Sequence, residues 1–187
     1  MRNLAPRMKR AQWIELGFEA VKAEQPDALT IESLCTTAGR TKGSFYHHFD
    51  GIEAFVEALF DAWERTFTDK VIEQSSGEPG PKNQLMALDT LAGMLDRDNE
   101  QGMRRLASRW PHAAARIAQV DDKRIAFLEA LYSDLNLPNL DAAALARVEY
   151  AAFLGFQQLA PHTIGTNQTD LYARYLKVIL KRGVGAA

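Results

Sequence analysis

Residues 30–49 read TIESLCTTAGRTKGSFYHHF, and this stretch decides the fold. Ile31, Leu34, Cys35 and Ala38 recur at i, i+3, i+4 and i+7, the spacing of one helical face. Thr30 stands just before that run, where its hydroxyl can accept from free backbone N–H groups. Gly39 follows it and suits a left-handed helix end, which costs glycine nothing sterically. Thr41 can cap a second, short helix whose apolar side is Phe45 and Phe49. Two short helices around a glycine-containing turn have the spacing of a helix-turn-helix. In that motif the second helix enters the major groove of DNA and the first crosses the backbone. Thr41, Lys42, Ser44, Tyr46, His47 and His48 are left facing outward, donors and aromatics with no acid among them. Six acids occur in the first fifty residues, yet none lies between Glu32 and Asp50. A surface that meets phosphates should be depleted in carboxylates in this way.

Outward from this segment the chain reads as helix almost throughout. Upstream, Ile14, Gly17, Phe18 and Val21 share one face, and Gln25-Pro26-Asp27 ends the helix because proline cannot continue it. Downstream, Ile52, Phe55, Val56, Leu59, Phe60, Trp63 and Phe67 predict a long helix from Ile52 to about Glu73. Ser75 to Pro81 is the clearest linker, after which Leu85, Leu88, Leu91, Ala92 and Leu95 restore helical spacing. Pro111 and Pro138 mark further boundaries. Asp141 is a candidate cap for a helix through about Ala160, stopped by Pro161, and a last helix is expected from about Gln168 to Lys181. Nothing alternates with period two over a strand's length. The expected class is all-α, with about nine helices: a three-helix N-terminal domain and a C-terminal bundle.

A chain of 187 residues, 47% hydrophobic and 25% charged, is ordinary for a globular protein and excludes a disordered one. The net charge of −2 excludes a globally basic nucleic-acid binder but allows a local basic patch. Residues 1–50 hold seven Lys/Arg and six Asp/Glu; residues 51–187 hold fifteen and eighteen. Arg2, Arg7, Lys9 and Arg10 make either a basic arm or an ordinary solvated leader. Cys35 is the one cysteine, so no internal disulfide can form. No apolar run approaches the roughly 18 residues of a membrane helix, and no apolar stretch follows the N-terminal charges as in a signal peptide. The expected compartment is the cytoplasm, with no membrane partner.

TKGSFYHHF, preceded by an L-x-x-x-A-G helix, resembles the signature of TetR-family transcriptional regulators. IELGFEAV before it and GIEAFVEALF after it extend the resemblance over residues 7–67. It implies a DNA-binding domain at 7–67, with its motif at 30–49, and a ligand-binding and dimerisation domain at 68–187. It implies a ligand-responsive repressor that binds palindromic operator DNA as a homodimer. By family pattern Thr30 and Tyr46 would contact phosphates, with His47 nearby. Arg40, Thr41, Lys42 and Ser44 would lie at base edges or the adjacent backbone, and Gly43 would let the helix approach closely. Two positions depart from the pattern. Arg40 stands where members usually have a small apolar residue, and is either a DNA contact or a solvated turn residue. Ile52 stands where many members have a phosphate-gripping Lys. That loss and the acidic pI support the alternative, a helical small-molecule sensor that has lost DNA binding.

Other chemistry finds little footing. Adjacent His47 and His48 diverge on a helix, and Cys35 sits on another helix's apolar stripe, so no metal or other cofactor is expected. No G-x-S-x-G, H-E-x-x-H or glycine-rich phosphate loop is present, so an enzyme is not expected. Trp63, Phe67, Met86, Met94, Met103, Trp110 and Phe127 are candidate pocket residues, although plain core packing explains each singly. The last two helices are apolar on more than one face, and Ala151, Ala152 and Gly155 would allow close approach of a second subunit.

Overall fold

The computed structural model describes residues 7–23, 29–110, 112–138, 140–159, 174, 175, 177 and 178. Every regular element among them is helical, as expected. In chain order these are α1 (Arg10–Lys22), α2 (Ile31–Ala38), α3 (Lys42–Tyr46), α4 (Ile52–Glu64), a π-helical turn (Arg65–Asp69), α5 (Lys70–Ser76), α6 (Pro81–Gly93), α7 (Arg97–Ala107), α8 (Ala113–Asp134) and α9 (Ala142–Gln158). Apart from residues 174, 175, 177 and 178, the helix expected over 168–181 lies outside the described residues, as does Pro161. The described residues form two compact units by contact. One takes the described residues within 1–65 and 96–117, the other those within 66–95 and 118–187.

In the first unit, Trp13, Phe45, Phe49 and Phe55 meet in one aromatic cluster. Trp13 and Phe55 flank Phe45 at ring-centroid distances of 5.4 and 5.6 Å, and Phe49 lies 5.0 Å from Phe55. Burying side chains of this size supplies roughly 2–3 kcal/mol each, so the cluster fixes α3, one turn and a half long, against α1 and α4. Ile14, Gly17 and Val21 point inward on α1 as the spacing predicts. Trp13, one position off that stripe, is also fully enclosed.

Helix α7 belongs to this unit and packs on α1. Lys22 Nζ lies 2.7 Å from Asp96, and Arg105 donates to the Val21 carbonyl at 3.3 Å. A cation at the last turn of α1 also complements the helix dipole. Among the described residues of this unit, Glu100 is a buried charged side chain, 2% exposed. Its carboxylate accepts from Trp63 Nε1 at 3.0 Å and from Arg104 Nε at 3.0 Å, so the buried charge is both hydrogen-bonded and paired. Arg116, at the start of α8, bridges Glu57, Asp61 and Glu64 along α4.

In the second unit α6, α8 and α9 contribute a core of Leu85, Leu128, Leu131, Tyr132, Ala146 and Tyr150, and α5 packs on α6. The long helix expected from Ile52 is helical throughout but changes register at residues 65–69, where the π turn lies. The linker expected at Ser75 to Pro81 is shorter than its composition suggests. Ser75 and Ser76 belong to α5, because the buried Ser75 hydroxyl donates to Val71 O at 2.8 Å and to Ile72 O at 3.1 Å instead of facing water. Pro81 then opens α6, where a missing N–H costs nothing. Asp141 caps α9 as predicted, accepting from Ala143 N and Ala144 N.

Candidate nucleic-acid interface and an apolar cavity

Two caps and one turn set the geometry of the N-terminal site. The Thr30 hydroxyl accepts from Ser33 N at 3.1 Å and starts α2. At the other end Gly39 takes φ 60° and ψ 40°, and Gly39 N and Arg40 N donate to Thr36 O and Cys35 O. Those two bonds are a Schellman motif, which ends the helix and reverses the chain. Thr41 then starts α3, its hydroxyl accepting from Ser44 N at 3.3 Å.

This places Arg40, Thr41, Lys42, Gly43 and Ser44 at the turn and first turn of α3, with Tyr46 and His47 at its far end. Thr30 begins the preceding helix. Thr30, Thr41, Lys42, Gly43, Tyr46 and His47 are exposed, while Arg40 and Ser44 are half-buried. Tyr46 shows 53% of its surface to solvent although it neighbours the fully enclosed Phe45. Lys42 lies 4.0 Å from Glu32, an exposed pair of little energetic weight. His48 does not share the outward face. Its Nε2 sits 2.8 Å from the Met8 carbonyl oxygen, which can only accept, so that nitrogen carries the proton. The bond ties the start of the described chain to the end of the helix-turn-helix. Cys35 is buried, and desolvation pushes its thiol up despite nearby Lys42, which disfavours the reactive thiolate.

The second unit contains a cavity of about 290 Å³. Phe67, Val71, Leu88, Ala92, Phe127, Leu128, Phe153 and Phe156 line it, with Thr68, Asp89, Arg124, Glu149, Tyr150 and Tyr175 as its polar members. The volume is at the small end of ligand sites. The π turn contributes Phe67 and Thr68 to its wall. Arg124 of α8 donates to Thr68 Oγ1 at 2.9 Å, to Phe67 O at 3.3 Å and to the Tyr150 hydroxyl at 3.3 Å. Tyr150 donates onward to Asp121 at 2.6 Å. Tyr132 donates to the buried Glu149 carboxylate. Burial, then the charge of Glu149, pushes the Asp89 carboxyl up to about 7.

Of the seven aromatic and methionine residues singled out in the sequence, Phe67 and Phe127 line this cavity. Trp63 and Met103 are enclosed within the first unit, Met86 and Met94 are exposed, and Trp110 is half-buried. The polar members carry little signal in the sequence, since a lone acid in a helical pattern looks like a solvated face. Their only sequence signal is position: Asp89 follows Leu88, and Glu149 adjoins Val148 and Tyr150.

A helix-turn-helix head with a carboxylate-free reading helix defines a class of DNA-binding module. Residues 10–59 match the family described as bacterial regulatory proteins, tetR family. The TetR resemblance is thus shown for this segment, in a family of DNA-binding regulators. No curated protein sequence matches the chain. Solved structures match along nearly all of it. The reduced form of NemR from E. coli shares 19% identity and a TM-score of 0.75, over 91% of this chain and 96% of that one. A bacterial regulatory protein of the tetR family from Rhodococcus RHA1 shares 16% and 0.70, over 95% and 97%. The ketosteroid transcriptional regulator KstR2 of Mycobacterium tuberculosis shares 19% and 0.61, over 94% and 95%. The chain therefore has the fold of a TetR-family transcriptional regulator.

Proposed function

We propose that this protein is a ligand-responsive transcriptional repressor that binds palindromic operator DNA as a homodimer. The observation that carries this reading is the acid-free run Arg40–His47, in which Thr41, Lys42, Gly43, Tyr46 and His47 are exposed while the Gly39 turn and the buried Phe45 anchor the segment. In this reading residues 7–67 bind DNA and residues 68–187 bind the effector and the second subunit. Thr30 and Tyr46 contact phosphates, with His47 nearby; Arg40, Thr41, Lys42 and Ser44 meet base edges or the adjacent backbone; Gly43 lets the helix approach. Helix N-termini and hydroxyls suit phosphates, and Arg or Lys suits guanine. The last two helices form the dimer. Val148, Ala151, Ala152, Gly155 and Leu159 make an exposed, mostly small apolar face on α9 that supports this. The cavity is the effector site, and a ligand there acts only through different affinities for the DNA-competent and incompetent states.

The test is an anisotropy titration of DNA flanking the protein's own gene, with unrelated DNA as competitor, at two salt concentrations. Specific, salt-dependent binding by a dimer is expected. Binding no tighter than to the competitor, by a folded dimer, favours the sensor without DNA function.

A further inference from the structure

The cavity is apolar except for a small set of polar side chains, and the charged ones are not equally engaged. Arg124 is held in the wall by three acceptors: Thr68 Oγ1, Phe67 O and the Tyr150 hydroxyl. Glu149, 7% exposed, accepts from Tyr132. Asp89 lines the same cavity, yet among the described residues it has no hydrogen-bond or ion-pair partner. An unpaired carboxylate at the edge of an apolar space is costly unless a counter-charge arrives. An anionic ligand would meet two carboxylates and an arginine already bonded elsewhere. A neutral apolar ligand would fill the space and desolvate Asp89 further.

On the reading of this cavity as the effector site, we infer that it takes a hydrophobic cation, an aromatic or aliphatic body bearing an amine or quaternary ammonium whose charge pairs with Asp89. Tyr150 and Phe153, stacked with ring centroids 6.0 Å apart, belong to the same lining, and aromatic rings attract a positive group. The raised Asp89 carboxyl accords with this, since its ionised form lacks the compensation a cation would supply.

Three fluorescent probes with one body separate the possibilities: diphenylhexatriene, its trimethylammonium derivative and its propionic-acid derivative. Each is titrated into the full chain at pH 8. The cationic probe is expected to bind roughly tenfold or more tighter than the neutral body, and the anionic one most weakly. Asp89→Asn, nearly isosteric, is expected to erase most of that preference while leaving the melting temperature no lower. Ala92→Trp, which fills the cavity, is expected to abolish binding of all three. Equal binding of cationic and neutral probes, or a preference that survives Asp89→Asn, overturns the charge assignment. If that binding is still lost in Ala92→Trp, the cavity stands as a ligand site. Failure of every probe to bind, or binding that persists in a folded Ala92→Trp protein, overturns both the charge assignment and the cavity reading.

Discussion

Gly102 of α7 lies so close to Val21 of α1 that a Cβ added there would sit 2.5 Å from the Val21 carbonyl oxygen and 2.9 Å from its carbonyl carbon. These are backbone atoms near a helix end, and they cannot turn aside as a side chain could. The same carbonyl accepts from Arg105, and the next residue, Lys22, pairs with Asp96. Glycine therefore sets the separation of two helices that two polar contacts then hold. Gly102→Ala gains about 1 kcal/mol of helix propensity but forces the helices apart. The expected net effect is a loss of roughly 1–3 kcal/mol, read as a lower midpoint in chemical denaturation. A midpoint equal to or above that of the parent would show that the crossing relaxes freely.

Gly43 presents the opposite case. A Cβ there would find only Thr41 Oγ1, at 3.8 Å, an ordinary contact. Its backbone lies outside the left-handed region, so the fold makes no demand for glycine. If the demand is external, Gly43→Ala keeps or slightly raises stability, by up to about 1 kcal/mol. It should weaken operator binding by roughly tenfold or more, because the added methyl holds the DNA backbone away. Melting and DNA titration on one preparation check both halves. Undiminished DNA affinity would remove Gly43 from the interface.

Much of this was legible in sequence, for an identifiable reason. The helix-turn-helix is local: Thr30, Gly39, Thr41 and the Phe45–Phe49 spacing each act over three or four residues, and each does in the structure what its chemistry predicts. What escaped depends on long-range partners. Glu100 reads as a solvated acid until Trp63, 37 residues away, is seen to donate to it. His48 reads as outward-facing until Met8 meets it across the cluster. Ser75 reads as linker because nothing in the local pattern reveals that its side chain is buried. The cavity residues escaped for the same reason. Large apolar side chains look alike in sequence whether they enclose a space or fill one, so Phe67 and Phe127 could not be told from Trp63 and Met103.

Lys42 allows a cleaner separation of stability from binding. Both it and Glu32 are exposed, and their atoms stand 4.0 Å apart. Such a pair contributes about 0–1 kcal/mol, so Lys42→Ala should leave the denaturation midpoint nearly unchanged. Should Lys42 neutralise one phosphate, the same change lowers operator affinity and reduces the salt slope by about one. A weaker affinity with an unaltered slope and altered base preference would assign Lys42 to base contact instead. An unchanged affinity at several salt concentrations would exclude it from the site.

Asp89 couples the cavity to pH, and the sign follows from its surroundings. The titratable groups that line the cavity with it are Glu149 and Tyr150 of α9, Arg124 of α8, and Tyr175; Tyr132 donates to Glu149. Tyr132 and Tyr175 are both pushed up by burial and the Glu149 charge, so they stay neutral in the working range. Arg124 stays charged. Asp89 is raised from an ordinary 3.8 to about 7. With no ligand, the unfolded chain releases this proton first, so stability is fully present below about pH 4 and declines as pH rises toward 7. Asp89→Asn should therefore match the parent near pH 4 and exceed it at pH 8, by on the order of 1–2 kcal/mol after allowance for solvent in the cavity. A bound cation reverses the preference by stabilising the carboxylate. Affinity for a permanently charged ammonium should thus climb as pH rises through about 7 and level off above it, with proton release in calorimetry below that point. Glu149→Gln should move the climb to lower pH, because one of the two causes of the raised carboxyl is gone. An affinity flat from pH 5 to 9 in the parent would mean that Asp89 does not meet the charge.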